Sequence, residues 1–117
     1  MGNHSSSSNN PEMSQQARTF IQDEIQSHDI VVFSKSYCPY CTTTKDLLRQ
    51  KLPGVDVAVY ELDRRPDGKT LQDELLTMTG QRTVPNVYVK GQHVGGNDDT
   101  QAAFRAGRLH QLLGLKQ

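Results

Sequence analysis

The pattern of apolar and polar positions predicts alternating helices and strands. Apolar residues recur at helical spacing in residues 14–27, with Ser14 as the N-cap, and again in residues 42–51, 67–79 and 98–113. Short β-branched or alternating runs predict strands at residues 30–33, 55–62, 86–90 and 93–94, the last two joined as a hairpin around Gly91. Pro53-Gly54 and Gly80 end the second and third helices, and Gly107 predicts a bend in the last helical region.

This order of elements predicts an α/β fold. Strands joined through helices run parallel, whereas the two strands of a hairpin must be antiparallel. We therefore expect a mixed sheet with helices on both faces. Residues 1–13 are polar and without period, which predicts a flexible head, and residues 14–117 form the single folded domain.

Composition limits the classes of partner. Thirteen basic and thirteen acidic residues cancel in a chain of 117, so charge gives no reason to expect nucleic acid or an anionic membrane as a general partner. Two cysteines, without a charged-then-apolar leader or a run of about 20 apolar residues, favour a reducing, cytoplasmic location. We expect a monomer.

The first residues match an acylation pattern. Met-Gly-x-x-x-Ser would place Gly2 at the new amino terminus once Met1 is removed, with Ser6 in the required position. A linker or a remnant of cloning explains the same residues. One acyl chain would add only partial membrane association.

The clearest candidate for a reactive site is the segment Lys35-Ser36-Tyr37-Cys38-Pro39-Tyr40-Cys41. Cys38 lies between a predicted strand and the start of a predicted helix, and free N–H groups at a helix start favour a thiolate. Lys35 adds positive charge, and Pro39 suits the first helical turn. Cys41 should be more buried. We interpret Cys38 as the nucleophile and Cys41 as the resolving thiol of a reversible disulfide.

Two other interpretations fit a cysteine pair. A structural zinc site needs about four ligands, but the remaining candidates are four histidines whose spacing does not match. The cysteines could also be structural and buried, although Lys35 and Pro39 at a helix start favour reactivity. We expect no metal.

Two elements after the cysteine pair could bind a small ligand. In Arg82-Thr83-Val84-Pro85, proline holds Val84 extended, so its backbone can pair with an extended peptide, and a cis Val84–Pro85 bond would display it further. Gly95-Gly96-Asn97-Asp98-Asp99 combines a tight turn with a helix start that could receive a carboxylate and aspartates that could meet an ammonium group. An ordinary loop and a capped turn remain alternatives.

Together these elements resemble the glutaredoxin family, specifically its dithiol branch. The resemblance covers residues 14–114 through Cys-Pro-Tyr-Cys at 38–41, Thr-Val-Pro at 83–85 and Gly-Gly-Asn-Asp-Asp at 95–99. Thioredoxins typically carry Trp-Cys-Gly-Pro-Cys, and this chain has no tryptophan. The resemblance implies a thioredoxin-like fold with a four-stranded mixed sheet, a cis Pro85 facing the cysteines, and glutathione as electron donor.

The resemblance also implies a role for each matching residue. Cys38 would attack and become glutathionylated, and Cys38 alone would reduce protein–glutathione mixed disulfides. Cys38 with Cys41 would reduce protein disulfides, with glutathione reductase as an indirect partner. Glutathione would be bound by Lys35, Tyr40, Gln72, Arg82, Thr83, Val84, Pro85, Gly96, Asn97, Asp98 and Asp99.

Two further functions stay open at this point. A [2Fe–2S] carrier would use Cys38 of two subunits and two glutathiones. The resemblance disfavours it, because cluster-binding members mainly carry glycine where this chain has Pro39. A binding adaptor without turnover would show no glutathione-dependent reduction of a small mixed disulfide.

Overall fold

The computed structural model describes residues 11–116, within which four strands form one mixed sheet. The helices are α1 (Pro11–Ser27), α2 (Pro39–Lys51), α3 (Gly68–Thr79), α4 (Asn97–Arg105) and α5 (Arg108–Leu113). The strands are β1 (Ile30–Ser34), β2 (Val57–Glu61), β3 (Asn86–Val89) and β4 (Gln92–Gly95), in the spatial order β2-β1-β3-β4. The predicted α/β fold is confirmed.

β1 lies at the centre and determines the direction of its neighbours. It runs parallel to β2, with Ile30 opposite Val57, and antiparallel to β3, with Phe33 opposite Asn86. β3 and β4 form the predicted antiparallel hairpin, with an irregularity between Val87 and Tyr88. The parallel pair is connected through α2, as a parallel connection requires.

Alternate residues of β1 face two separate hydrophobic layers. Val31 and Phe33 pack with α1 and α3, whereas Ile30 and Val32 pack with residues of α2, α4 and α5. All four side chains are completely buried. The continuous apolar run therefore belongs to a strand covered on both faces, which confirms helices on both sides of the sheet.

Several predicted boundaries are wrong. α1 begins at Pro11 instead of after Ser14, so residues 11–13 belong to a helix and not to a flexible head. Proline suits a first helical turn, where its missing N–H has no partner to lose. Residues 1–10, including Gly2, lie outside the described residues, so acylation of Gly2 stays a prediction, as does the cytoplasmic location.

Two other parts of the chain differ from the sequence prediction. β2 is shorter than the predicted residues 55–62, whereas α2 begins at Pro39, where the cysteine motif predicted its first turn. A 3-10 turn at Leu62–Arg64, which was not predicted, leads from β2 toward α3. The bend predicted at Gly107 is confirmed: two helices, α4 and α5, are separated there, and the φ of Gly107, 78°, lies in the left-handed region. No helix in residues 11–116 has the length and apolar character to cross a membrane.

We predict that Gly68→Ala destabilises the protein by about 1–3 kcal/mol, because backbone must move to admit the methyl group. A Cβ at Gly68 would lie 1.8 Å from the carbonyl oxygen of Leu62 in the 3-10 turn. Urea unfolding measures the change, with the exposed neighbour Lys69→Ala as the control. A stabilised Gly68→Ala would contradict the close approach, since alanine is otherwise the better helix former.

Candidate active site

Cys38 caps the first turn of α2. Its backbone is extended (φ −88°, ψ 117°), and Pro39 occupies the start of the helix. The Cys38 N–H donates to the Lys35 carbonyl at 3.1 Å, and the Cys38 carbonyl accepts from the Thr42 N–H at 3.1 Å. The turn between β1 and α2 is thus closed by backbone hydrogen bonds on both sides of the cysteine.

The sulfur of Cys38 takes the place of a capping oxygen. The Cys41 backbone N–H donates to Cys38 Sγ at 3.3 Å, as an N-cap side chain usually receives a donor from the first turn. The positive end of the helix dipole lies at the same point, so negative charge on this sulfur is stabilised. Cys38 is partly exposed, and both cysteines are free thiols. A nucleophile must be accessible, and Cys38 is.

Cys41 has the opposite environment. Its side chain is completely buried. Burial, a hydrogen bond with Cys38 and the charge of Cys38 raise the pKa of the Cys41 thiol to about 11. The two thiols therefore differ in access, as the sequence analysis predicted, and Cys41 is a weaker acid than an ordinary thiol. Within residues 11–116 no group of three or more His, Cys, Asp or Glu side chains is arranged to hold a metal ion.

A carboxylate anchors the loop that carries Cys38. Asp63, in the 3-10 turn after β2, accepts the Ser36 N–H at 2.9 Å and also the Ser36 hydroxyl. These hydrogen bonds lower the pKa of Asp63. The turn after β2 therefore holds the turn after β1, a contact that the sequence analysis did not predict.

A groove of about 580 Å³ begins beside Cys38. Cys38 Sγ lies 3.9 Å from the Val84 carbonyl oxygen, and the Val84–Pro85 peptide bond is cis, as the resemblance implied. Eight predicted site residues line the groove together with Gln81: Tyr40, Thr83, Val84, Pro85, Gly96, Asn97, Asp98 and Asp99. The structure thus brings together the three elements on which the sequence analysis relied.

The start of α4 also lines the groove. Helix α4 begins at Asn97 with Gly96 as N-cap, one residue before the predicted helical region of residues 98–113. Asp99 reaches back and accepts the Gly96 N–H at 3.1 Å. A Cβ at Gly95, whose φ is 125°, would lie 2.3 Å from that carboxylate, which explains the glycine.

Asn97 joins this wall to the helix of the cysteines. Its Oδ1 accepts the hydroxyl of the buried Thr44 at 2.8 Å and the Gln101 amide at 3.2 Å. Thr44 lies on α2, one turn beyond Cys41. In residues 11–116 the Asp98 carboxylate, by contrast, has no hydrogen-bond or ion-pair partner and is exposed. Asp98 is therefore the acidic group at this end of the groove that is free for a ligand.

Three predicted ligand-binding residues do not line the groove: Lys35, Gln72 and Arg82. Gln72 on α3 donates to the Arg82 carbonyl at 2.8 Å, and the Arg82 guanidinium pairs with Asp73. Burial alone would raise the pKa of Asp73, but hydrogen bonds from Arg82 and Lys69 lower it overall. The Gln72 and Arg82 side chains therefore have partners within the protein in this structure, and their role in glutathione binding stays a prediction.

Gln81 is the groove residue that the sequence analysis missed. It follows the helix-ending Gly80, and its side-chain nitrogen donates to the carbonyls of Thr83 at 3.0 Å and Pro85 at 2.9 Å. A polar residue after a helix is ordinary, so composition gave no signal. Its position four residues before Pro85 could have suggested that it serves the proline loop.

The fold and the site define a class. A helix-capping cysteine, a buried cysteine three residues later and a cis proline beside the first sulfur characterise a thiol–disulfide oxidoreductase with a thioredoxin-like fold.

Comparison with known proteins narrows this class. The sequence model of the glutaredoxin family matches residues 30–94. Glutaredoxin-C4 of Arabidopsis thaliana is 49% identical over 96 residues, which cover 82% of this chain and 70% of that protein. Glutaredoxin-C8 of Oryza sativa subsp. japonica is 45% identical over 97 residues, which cover 83% and 71%. A crystal structure of a buckwheat glutaredoxin–glutathione complex superposes with a TM-score of 0.83 at 41% identity, covering 89% of this chain and 93% of that one.

The chain belongs to the glutaredoxin family. Its enzymatic class is accordingly that of a glutathione-dependent oxidoreductase.

We predict that iodoacetamide at pH 7.5 modifies the folded, reduced protein once, at Cys38. Cys41 is buried and stays a neutral thiol until the pH approaches about 11. Intact mass gives the number of adducts and peptide mass spectrometry gives the site. The unfolded protein should take two adducts and folded Cys38→Ser none. Rapid labelling of Cys41 in folded Cys38→Ser would contradict the assigned environments.

Proposed function

We propose that the groove binds glutathione and that Cys38 transfers glutathione between thiols. The proposal depends chiefly on one observation: the Cys38 sulfur lies 3.9 Å from the Val84 carbonyl oxygen, at the edge of a groove that a helix start also lines. A peptide that pairs with the backbone of Val84 would bring its own sulfur toward Cys38.

The chemistry of glutathione matches the groove from end to end. Its cysteinyl unit has one backbone N–H and one carbonyl to pair with Val84. Its γ-glutamyl end carries a carboxylate, which suits the N–H groups at the start of α4, and an ammonium group, which suits Asp98. The glycine carboxylate would lie toward Lys35 and Arg82. To bind it, Arg82 would have to exchange its present partner Asp73 for the ligand.

Reduction of a protein–glutathione mixed disulfide would need Cys38 alone. The Cys38 thiolate attacks the glutathione sulfur, a new Cys38–glutathione disulfide forms, and the client protein leaves as a thiolate that takes a proton from water. A second glutathione thiolate then attacks the glutathione sulfur bound to Cys38. Oxidised glutathione leaves, Cys38 returns as a thiolate, and glutathione reductase would regenerate the donor.

Reduction of a protein disulfide would need both cysteines. Attack by Cys38 joins the protein to it through a mixed disulfide, and Cys41 then attacks Cys38 Sγ and releases the reduced protein. Part of the elevation of the Cys41 pKa comes from the charge of Cys38, which disappears when Cys38 enters the mixed disulfide. Cys41 would therefore become more acidic at the step that requires it, and two glutathiones would reduce the Cys38–Cys41 disulfide afterwards.

We predict that Cys38→Ser abolishes both reactions and that Cys41→Ser keeps reduction of mixed disulfides while losing reduction of protein disulfides. Glutathione-coupled assays with a glutathionylated peptide and with a disulfide-bonded protein measure the two reactions. Thr42→Ser, a conservative change at an exposed position of the same helix, is the control. A folded Cys41→Ser that failed on the glutathionylated peptide would overturn the assignment of roles.

We predict that Asp98→Asn raises the KM for a glutathionylated peptide roughly fivefold, the size of one exposed charge pair, with little change in kcat. The amide keeps the shape of Asp98 but removes the charge offered to the ammonium group. The effect should shrink in high salt. Asp23→Asn, an exposed carboxylate on α1, is the matched control. Equal effects of the two variants would rule out the assigned contact.

A further inference from the structure

The side chain of Gln81 holds the backbone on both sides of Val84. One nitrogen, Nε2, donates to the Thr83 carbonyl at 3.0 Å and to the Pro85 carbonyl at 2.9 Å. An amide nitrogen has two protons, so both are committed. Because both partners are carbonyl oxygens, this orientation of the amide is the one that the neighbours allow.

The backbone of Gln81 is itself held in place. Its N–H donates to the Thr79 hydroxyl oxygen at 3.0 Å, and its carbonyl accepts a hydrogen bond from Asn86 Nδ2 at 3.4 Å. Asn86 is buried, and its Oδ1 lies 3.0 Å from His93 Nε2. Burial lowers the pKa of His93, so the neutral ring donates to Asn86 at neutral pH. Hydrogen bonds through Asn86 and His93 therefore link Gln81 to both strands of the β3–β4 hairpin.

The contact with Thr83 determines the direction of the Val84 N–H. Thr83 C=O and Val84 N–H belong to one planar trans peptide group, in which they point in opposite directions. A donor that holds the Thr83 oxygen toward Gln81 therefore turns the Val84 N–H away from Gln81. The second contact holds the peptide group after Pro85. The Gln81 side chain therefore holds both the peptide group before Val84 and the peptide group after Pro85.

We propose that Gln81 is a positioning residue for the peptide ligand: it aims the Val84 backbone N–H at the ligand without touching the reacting sulfurs. This inference depends on the proposed function, since it concerns the same groove. Gln81 gives binding energy indirectly, by keeping a backbone donor oriented before the ligand arrives. Its loss should weaken peptide binding and leave the sulfur chemistry of Cys38 intact.

The test combines one binding measurement with two rates, using Gln81→Met, which keeps the length of the side chain but has no donor. In a Cys38→Ser background, calorimetry should show that S-methylglutathione binds roughly tenfold more weakly when Gln81 is Met, since two neutral hydrogen bonds are lost. With Cys38 present, the KM for a glutathionylated peptide should rise by a similar factor while kcat changes little. Alkylation of Cys38 by iodoacetamide, which has no peptide to pair with Val84, should keep its rate.

Two controls separate positioning from general loss of structure. Val57→Ala, on β2, should lower stability while leaving the KM unchanged, and Gln22→Met changes an exposed glutamine on α1 in the same way. Gln81→Glu keeps the shape but turns an acceptor toward two carbonyls, so it should weaken binding at least as much as Gln81→Met.

The outcomes distinguish a failure of the proposed function from a failure of the role proposed for Gln81. If the unaltered groove does not bind S-methylglutathione, the proposed function is wrong. If it binds and Gln81→Met and Gln81→Glu bind equally well, Gln81 is not a positioning residue. If alkylation of Cys38 slows as much as catalysis, Gln81 acts on the reactive sulfur, and the inference is overturned.

Discussion

The site depends on the hydrogen bond from the Cys41 N–H to Cys38 Sγ, because this contact makes a sulfur the N-cap of α2. An ordinary capping oxygen would satisfy the same backbone donor without reacting. A sulfur in this position accepts the N–H hydrogen bond and lies at the positive end of the helix dipole. Both interactions stabilise negative charge on it. The arrangement also places the second thiol one turn inside the helix, where burial keeps it protonated. One helix start therefore gives the two thiols unlike environments.

The direction of the four strands brings the rest of the site to that helix start. β1 ends at Ser34, just before the Cys38 turn, and the parallel strand β2 ends opposite it, where Asp63 holds Ser36. β3 runs the other way, so its beginning, next to Pro85, lies at the same edge. β4 reverses once more and ends at Gly95, beside the start of α4. Segments separated by about half of the chain meet because the mixed sheet collects their ends at one edge.

The elements and the main chemistry could be predicted because they depend on local patterns. The run at residues 30–33 and the cysteine pair after it are short-range signals, and the pair indicates a family when it is combined with Thr83-Val84-Pro85 and residues 95–99. The tie between Asn97 and Thr44, the Asp63 anchor and the Gln81 contacts could not be predicted in this way. Each joins residues through tertiary structure or through a loop conformation that periodicity does not describe. Arg82 shows the converse problem, since a sequence motif cannot reveal that Asp73 already holds its side chain.

The two cysteines and the groove assign different parts of the chemistry to different parts of the chain. The N–H that the Cys38 sulfur accepts comes from the backbone of α2, and this contact does not depend on which ligand occupies the groove. In the proposed function, selection of the peptide ligand belongs to Val84 and the start of α4, with Gln81 holding the backbone on both sides of Val84. In the same proposal, Cys41 would react only after Cys38 has entered a mixed disulfide. Under the proposed function, affinity for the donor could therefore change through Asp98 or Gln81 while the reactivity of the sulfur is retained, because neither residue contacts Cys38, whereas Val84 borders both the groove and the sulfur.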